Sequence, residues 1–378
     1  MRRLLSPQRA DAPLERRRRR RIPGAARCRK GRRRRGAEHS PPQRRRPGNA
    51  TGFGGIAACH PDRTGTFRPC GSRHRLIVDD LSSQDLSQCL AGPGLRLRTG
   101  PFVAAIRSRL PAVAQGIALH YGAHPVEGAD GFADFHVQLA APRNLRRWLH
   151  PQVFFRLDGE SPFKPLPADQ AFPMLEWGLN WCISNLCHQY LTIHAAVVEK
   201  SGKALILPAP PGSGKSTLCA GLIHRGWRLL SDELALIDPA SGQLTPLPRP
   251  VSLKNESIEV IRRFAPAAVF NPAVHDTTKG TVAHARPPAA SVRRADEPAR
   301  PGWVVLPRFS SGAQTRLTPL PKARALMQLA DNAFNYGLHG DRGFETLAGL
   351  IENAGCYEFT YSRLEEAVEV FDELAGRA

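Results

Sequence analysis

The chain has 378 residues, 42% of them hydrophobic, with 53 Lys and Arg against 33 Asp and Glu and a formal net charge of +20. That length supports one or two domains with real cores, and no apolar run reaches the ~18 residues that a membrane-spanning helix needs. The eight cysteines form no Cys-x-x-Cys pair and no zinc-type spacing, which excludes a cysteine zinc centre and fits reduced thiols in a cytoplasmic protein.

The basicity is local. Residues 1–77 hold 23 Lys and Arg against 4 Asp and Glu, whereas the remainder holds 30 against 29. Runs such as Arg16 to Arg21 and Arg32 to Arg35 are broken by Pro and Gly and carry no apolar periodicity, so this tail is expected to be disordered. Three readings stay open. It is a tether for nucleic acid or an anionic membrane, a targeting presequence built on a poor amphipathic helix, or the product of a start read too far upstream in GC-rich DNA. Folded character begins near Leu76 to Asp80.

Residues 78–170 read as a small α+β region without a chemistry-bearing cluster. Leu110 to His120 has helical spacing, Phe135 to Leu139 and Val153 to Leu157 look like strands, and Asp158-Gly159 marks a turn. Residues 171–378 read as a second, larger domain. Phe172, Leu175, Leu179, Cys182, Ile183 and Leu186 recur at helical spacing, predicting a helix from about Ala171 to Gln189 that packs against the next domain. Leu191 to Glu199 and Lys203 to Leu207 read as strands around a Ser201-Gly202 turn, and Leu218 to His224 as a helix ended by Gly226. A long mobile loop is expected from Pro272 to Pro301, then a strand at Trp303 to Leu306 and helices near Lys322 to Asn335 and Arg342 to Asn353. Ser362 and Glu365 suggest a capping box for a last helix.

The strongest signal is Ala209-Pro210-Pro211-Gly212-Ser213-Gly214-Lys215-Ser216-Thr217. It fits the phosphate-loop pattern G-x-x-x-x-G-K-[ST] at its last three positions, with Ala209 in place of the first glycine. Gly212 and Gly214 let the backbone turn its N–H groups, with those of Ser213 to Thr217, toward phosphate oxygens, and a helix beginning near Lys215 adds its positive end. Lys215 is expected to bridge the β- and γ-phosphates of a nucleoside triphosphate, and Ser216 to ligate Mg2+. Asp232 and Glu233 end the next apolar run. One suits magnesium and the other a general base, but an extended backbone would point them to opposite faces.

From Leu191 to Ile237 the chain resembles HPr kinase/phosphorylase. The resemblance rests on His194 in the strand before the loop, the loop itself, Arg225-Gly226 and the acidic pair. Pro248 to Ser257, Asp276 to Pro288 and Asn332 to Tyr336 look like the HPr-kinase-related kinase A branch. The resemblance implies an α/β fold of the P-loop NTPase type, HPr kinase/PEP carboxykinase-like, behind the smaller α+β region and the disordered Arg-rich tail. It also implies an ATP- and Mg2+-dependent bacterial kinase acting on a hydroxyl of a protein or peptide acceptor, with a small PqqD-like peptide-binding protein as an associated partner. His194 would lie near the γ-phosphate, Asp232 would accept the proton, and Glu233 would contact metal or acceptor. The family pairs two aspartates where Glu233 stands here and carries a downstream Glu before Arg-Gly, for which Glu256 would substitute as a metal ligand. Lys279 would bring a cation to the transferring phosphate. HPr kinases are hexamers, so a homo-oligomer is admitted though no feature here specifies one. Rival readings are a small-molecule kinase and a non-catalytic ATP-binding scaffold. If the tail is a nucleic-acid tether, deleting residues 1–77 should abolish a steeply salt-dependent DNA or RNA retention, read in filter binding from 50 to 200 mM salt; unchanged retention by the truncated chain would end that reading.

Overall fold

The computed structural model describes residues 75–142 and 149–377, so the expectations for the Arg-rich tail lie outside them except at residues 75–77. The first layer grows from α1 (Ser83–Ala91), whose Ser82 cap accepts a hydrogen bond from Asp85 N at 3.1 Å. β1 (Leu95–Thr99) and β2 (Phe102–Ser108) pair antiparallel, and α2 (Pro111–His120) follows with proline in its first turn. β3 (Phe135–Ala140), β4 (Gln152–Leu157) and β5 (Leu166–Pro167) complete a five-stranded sheet in the order β1-β2-β3-β4-β5. α3 (Ala171–Leu186) buries Phe172, Leu175, Leu179, Cys182 and Ile183 along one stripe. It was expected to pack on the domain that follows, and it does so only in part: its stripe also shares a core with Ile106, Val137 and Phe155 of the first sheet. Leu234, Leu236 and Leu247 join the same core, which fastens the two halves of the compact unit.

The second layer takes in β6 (Leu191–Lys200), β7 (Lys203–Pro208), α4 (Lys215–Ile223), β8 (Arg228–Ser231), β9 (Leu234–Ile237) and β10 (Leu244–Thr245). β11 (Val251–Lys254), α5 (Glu256–Phe264), β12 (Val274–Thr277), β13 (Gly280–Ala285) and α6 (Ala289–Arg293) come next. β14 (Arg300–Phe309), β15 (Arg316–Pro319), α7 (Lys322–Asn332), α8 (Tyr336–His339), α9 (Asp341–Glu352), β16 (Gly355–Tyr361) and α10 (Leu364–Gly376) close the chain. The result is a mixed α/β fold with three sheets among the described residues. In the largest, β10-β9-β6-β7-β14-β16-β15, with β8 also on β6, the strands β7, β14 and β16 run parallel. Ala196, Val198, Leu205 and Leu207 face a core shared with α4, α5 and α10, while Ile193, Val197, Ala204 and Ile206 face one shared with α7 and α9. Coverage on both faces is why these strands read as continuous apolar runs.

Two expectations are corrected here. The segment from Pro272 to Pro301 is not a loop: β12 and β13 pair antiparallel and β13 pairs with β11. Its small and polar residues hid strands that are short and packed against a neighbour. Ser362 does not cap the last helix either. Arg363 occupies the cap without a side-chain bond, and Ser362 Oγ donates to Ala313 O at 2.8 Å.

Three histidines are buried where the first layer meets β13. His120 stacks on Phe172 at 5.0 Å, His284 meets the same ring edge-on at 5.4 Å, and neither ring nitrogen of His284 has a partner among the described residues. Burial pushes the His120 and His124 pKa values down to about 4 and that of His284 to about 3. Their folded-state values lie below the unfolded ~6.5, so the unfolded chain binds protons first. Stability is therefore full above pH ~6.5 and falls as pH drops toward 4, by about 1.4 kcal/mol per pH unit for each histidine. Urea unfolding between pH 7 and 4.5 should show this slope, and His284→Leu should remove one histidine's share of it, about 1.4 kcal/mol per pH unit at most. An unaltered slope would mean that His284 is protonated in the folded protein.

Candidate functional site

The segment between β7 and α4 is a turn built by two glycines in the left-handed region, Gly212 and Gly214, each at φ 87°. Gly214 occupies the N-cap of α4 and no side chain caps the helix. The first-turn N–H groups of Lys215, Ser216 and Thr217 therefore lack intrahelical acceptors, which leaves them for an anion. Ser213 N donates back to Pro210 O at 3.3 Å, and Pro211 has no N–H, so neither adds to this set as expected. The loop is braced from outside: Phe309 N donates to Ser213 O at 2.9 Å and Tyr361 Oη to Gly214 O at 3.0 Å. Ser213 Oγ is buried without a partner among the described residues.

Lys215 is buried and turned inward. Its Nζ donates to Asp232 O at 3.0 Å and lies 3.4 Å from His194 Nε2. His194 Nε2 is 3.1 Å from Glu233 Oε2. Burial, and then the Lys215 charge, push the histidine pKa down against the pull of Glu233. A neutral His194 thus gives its Nε2 hydrogen to Glu233, and its approach to Lys215 is a charge–dipole contact. Asp232 and Glu233 do not diverge. They fall in a bend between β8 and β9 rather than in extended chain, and both are buried within the influence of Lys215.

The two acids differ in state. Burial raises the Asp232 pKa, with the adjacent Glu233 charge adding to it and Lys215, Ser216 and Lys254 opposing. Burial alone would raise Glu233 too, but Lys215, the His194 hydrogen bond and Lys254 hold it well below the usual carboxylate range. Asp232 Oδ2 accepts from Ser252 N at 3.1 Å, whereas its Oδ1 is buried without a hydrogen-bond partner among the described residues. One aimed, unpartnered carboxylate oxygen beside a helix N-terminus suits a proton or a cation.

Of the other sequence expectations, Lys279 joins the cluster. Its ammonium lies 4.8 Å over Trp177, and burial lowers its pKa to about 8 against the pull of Glu233. Glu256 does not: it is exposed at the start of α5, and it is not among the main influences on Asp232, Glu233, His194 or Lys279. Among the described residues no three His, Cys, Asp or Glu gather to hold a metal, so a cation here would need phosphate and water ligands beside one or two protein groups. Sequence reasoning missed Lys254, at the end of β11, whose charge reaches all four of those groups. It also missed Phe334, whose ring lies 6.0 Å from His194, and buried Asn335, which accepts from Thr192 N and donates to Tyr190 O. No helix among the described residues is long and apolar enough to cross a membrane.

No protein-family model matches the chain, and no curated protein does. Among solved structures 29 chains match. One is the Hpr(Ser) kinase/phosphatase from Coxiella burnetii, 12% identical, with 50% of this chain and 99% of that chain covered at a TM-score of 0.21.

The two loop glycines predict different costs. A Cβ at Gly212 meets open space, so Gly212→Ala should destabilise only through its positive φ, by about 1 kcal/mol. A Cβ at Gly214 would lie 2.3 Å from Tyr361 Oη on a buried ring, so Gly214→Ala should cost about 2 kcal/mol more, and Tyr361→Phe should recover part of it. Urea midpoints of the three variants decide it; equal costs at the two glycines would show that Tyr361 does not brace the loop.

Proposed function

We propose that the chain is a P-loop phosphotransferase of the HPr-kinase-like type, which moves the γ-phosphoryl group of ATP to a hydroxyl of a protein or peptide acceptor. The observation that carries this reading is the pairing of an open helix N-terminus with Asp232, a buried acid of raised pKa whose Oδ1 has no partner among the described residues. The residues present fit a magnesium nucleotide: Gly212 and the first turn of α4 leave room and N–H groups for phosphates, and Ser216 and Glu233 are the groups that would hold the ion. Bound magnesium would supply charge neutralisation on the phosphate oxygens.

The chain's own groups divide the remaining tasks. The N–H groups from Lys215 to Thr217 bind phosphate oxygens and fix the direction of transfer. Lys215 carries the positive charge toward the transferred group, and Lys254 and Lys279 add charge from β11 and the β12–β13 turn. Glu233, kept ionised by Lys215 and His194, compensates this excess. Asp232 Oδ1 takes the proton of the acceptor hydroxyl, and its raised pKa brings it nearer the working pH of a general base. His194 orients Glu233 and, with Phe334, walls the acceptor side.

The decisive experiment incubates wild type, Lys215→Ala and Asp232→Asn with γ-labelled ATP, magnesium and a lysate of the source cells. A labelled protein band that depends on both residues is expected, with Asp232→Asn slowed by at least about a hundredfold. The rate should fall as pH drops through the raised Asp232 pKa, because only the ionised acid accepts a proton. Tight ATP binding by the wild type with no labelled protein or small molecule would sink transfer and favour an ATP-binding scaffold.

A further inference from the structure

Three parallel strands of the large sheet end together. β7 runs into the phosphate loop, β14 ends at Phe309 and β16 at Tyr361, and the last two residues are register partners. Phe309 is 50% exposed. Exposure alone says little about a phenylalanine; its restraint says more. Phe309 N donates to Ser213 O of the phosphate loop at 2.9 Å, and Ser310 N donates to Tyr361 O at 2.9 Å. The Phe309 and Tyr361 rings lie 5.7 Å apart at 72°, so they meet edge to face. Tyr361 is buried and stacks on Phe359 at 5.4 Å, which meets Phe371 at 4.7 Å. An aromatic column thus rises from the core and ends in a half-exposed ring clamped to the phosphate loop. The turn beyond it is tied down as well: Ala313 N donates to Ser310 O, Ser362 Oγ to Ala313 O and Thr315 Oγ1 to Glu366 Oε2.

We propose that Phe309 is the platform on which the base of a bound nucleoside triphosphate stacks while its phosphates lie in the loop. This rests on the phosphate-site reading above. A ring already held by its backbone and by Tyr361 loses little freedom when a base covers its open face, so the stacking gain is kept. Every base has a π-face, and a phenyl ring offers no hydrogen-bonding group, so the platform strengthens binding without choosing between purines.

The test is titration calorimetry on the full chain with magnesium and three probes: ATP, GTP and inorganic tripolyphosphate. Phe309→Ala should weaken ATP and GTP by about tenfold and leave tripolyphosphate unchanged, and Phe309→Trp should restore both nucleotides. Lys215→Ala should weaken all three. If Phe309→Ala weakened tripolyphosphate as much as ATP, or left ATP untouched, the platform would be overturned while the phosphate site stood. A wild type that bound none of the three would overturn the phosphate site and the platform together.

Discussion

Two carboxylates buried side by side in one bend are the constraint around which this site is built. Asp232 and Glu233 are each at least nine-tenths shielded from solvent, and two adjacent buried charges repel strongly in a medium of low dielectric. The fold resolves this by giving the acids different surroundings. Glu233 receives the charge of Lys215 and the hydrogen of His194 and stays ionised. Asp232 receives the Ser252 N–H and the Ser216 hydroxyl but no compensating charge as strong as that on Glu233, and burial pushes it toward its protonated form. That split requires β6, the β8–β9 bend, β11 and the start of α4 to meet at one point. A stable separation of two carboxyl states is what a proton-accepting role needs.

The convergence is fixed from a distance. β11 carries both Ser252 and Lys254, and it is preceded by Arg249 between two prolines. The Arg249 guanidinium is buried on α3, donating to Glu176 Oε2 at 2.8 Å and to Asn180 Oδ1 at 2.7 Å, while Tyr121 Oη donates to Glu176 Oε1 at 2.6 Å. Removing one member of such a buried pair costs about 3–5 kcal/mol, because the other charge is left without compensation. The prolines stiffen the approach. The first layer therefore serves the site although it places no side chain among the acids: its core and its ion pair hold the strand that braces Asp232.

How much of this was legible in the sequence depends on which interactions were local. The strand, glycine turn and helix at Lys203 to Ile223 are legible because their signals lie within about twenty residues, whereas His194 and Lys279 are marked only by the resemblance. The state of the acidic pair was not legible, since it depends on a bend that only the packing of β8 and β9 on β6 creates. Lys254 was overlooked in favour of Glu256 two positions on, and nothing short of the β11–β13 pairing shows that the lysine lies within the electrostatic reach of the acids while the glutamate faces solvent. β13 was hidden because His284 and its neighbours are all buried, so no alternation of polar and apolar residues marks the strand, and β12 because it is four residues long with a single buried residue. The capping box failed for a tertiary reason: the Ser362 hydroxyl is taken by Ala313.

The missing first glycine of the phosphate loop becomes intelligible in the same terms. A glycine in a motif stands for a physical requirement, either a positive φ or a close approach of backbone. Ala209 is buried, and it is not among the residues with positive φ. The left-handed turns of this loop fall at Gly212 and Gly214, and the close approach falls at Gly214 against Tyr361. Position 209 therefore makes no demand for positive φ, and an alanine there adds apolar area at the end of a buried strand. The adjoining prolines, Pro210 and Pro211, limit the unfolded chain further. The departure from the pattern leaves in place two permissive residues and a helix whose first N–H groups remain unspent, which is what that pattern asks of a chain physically.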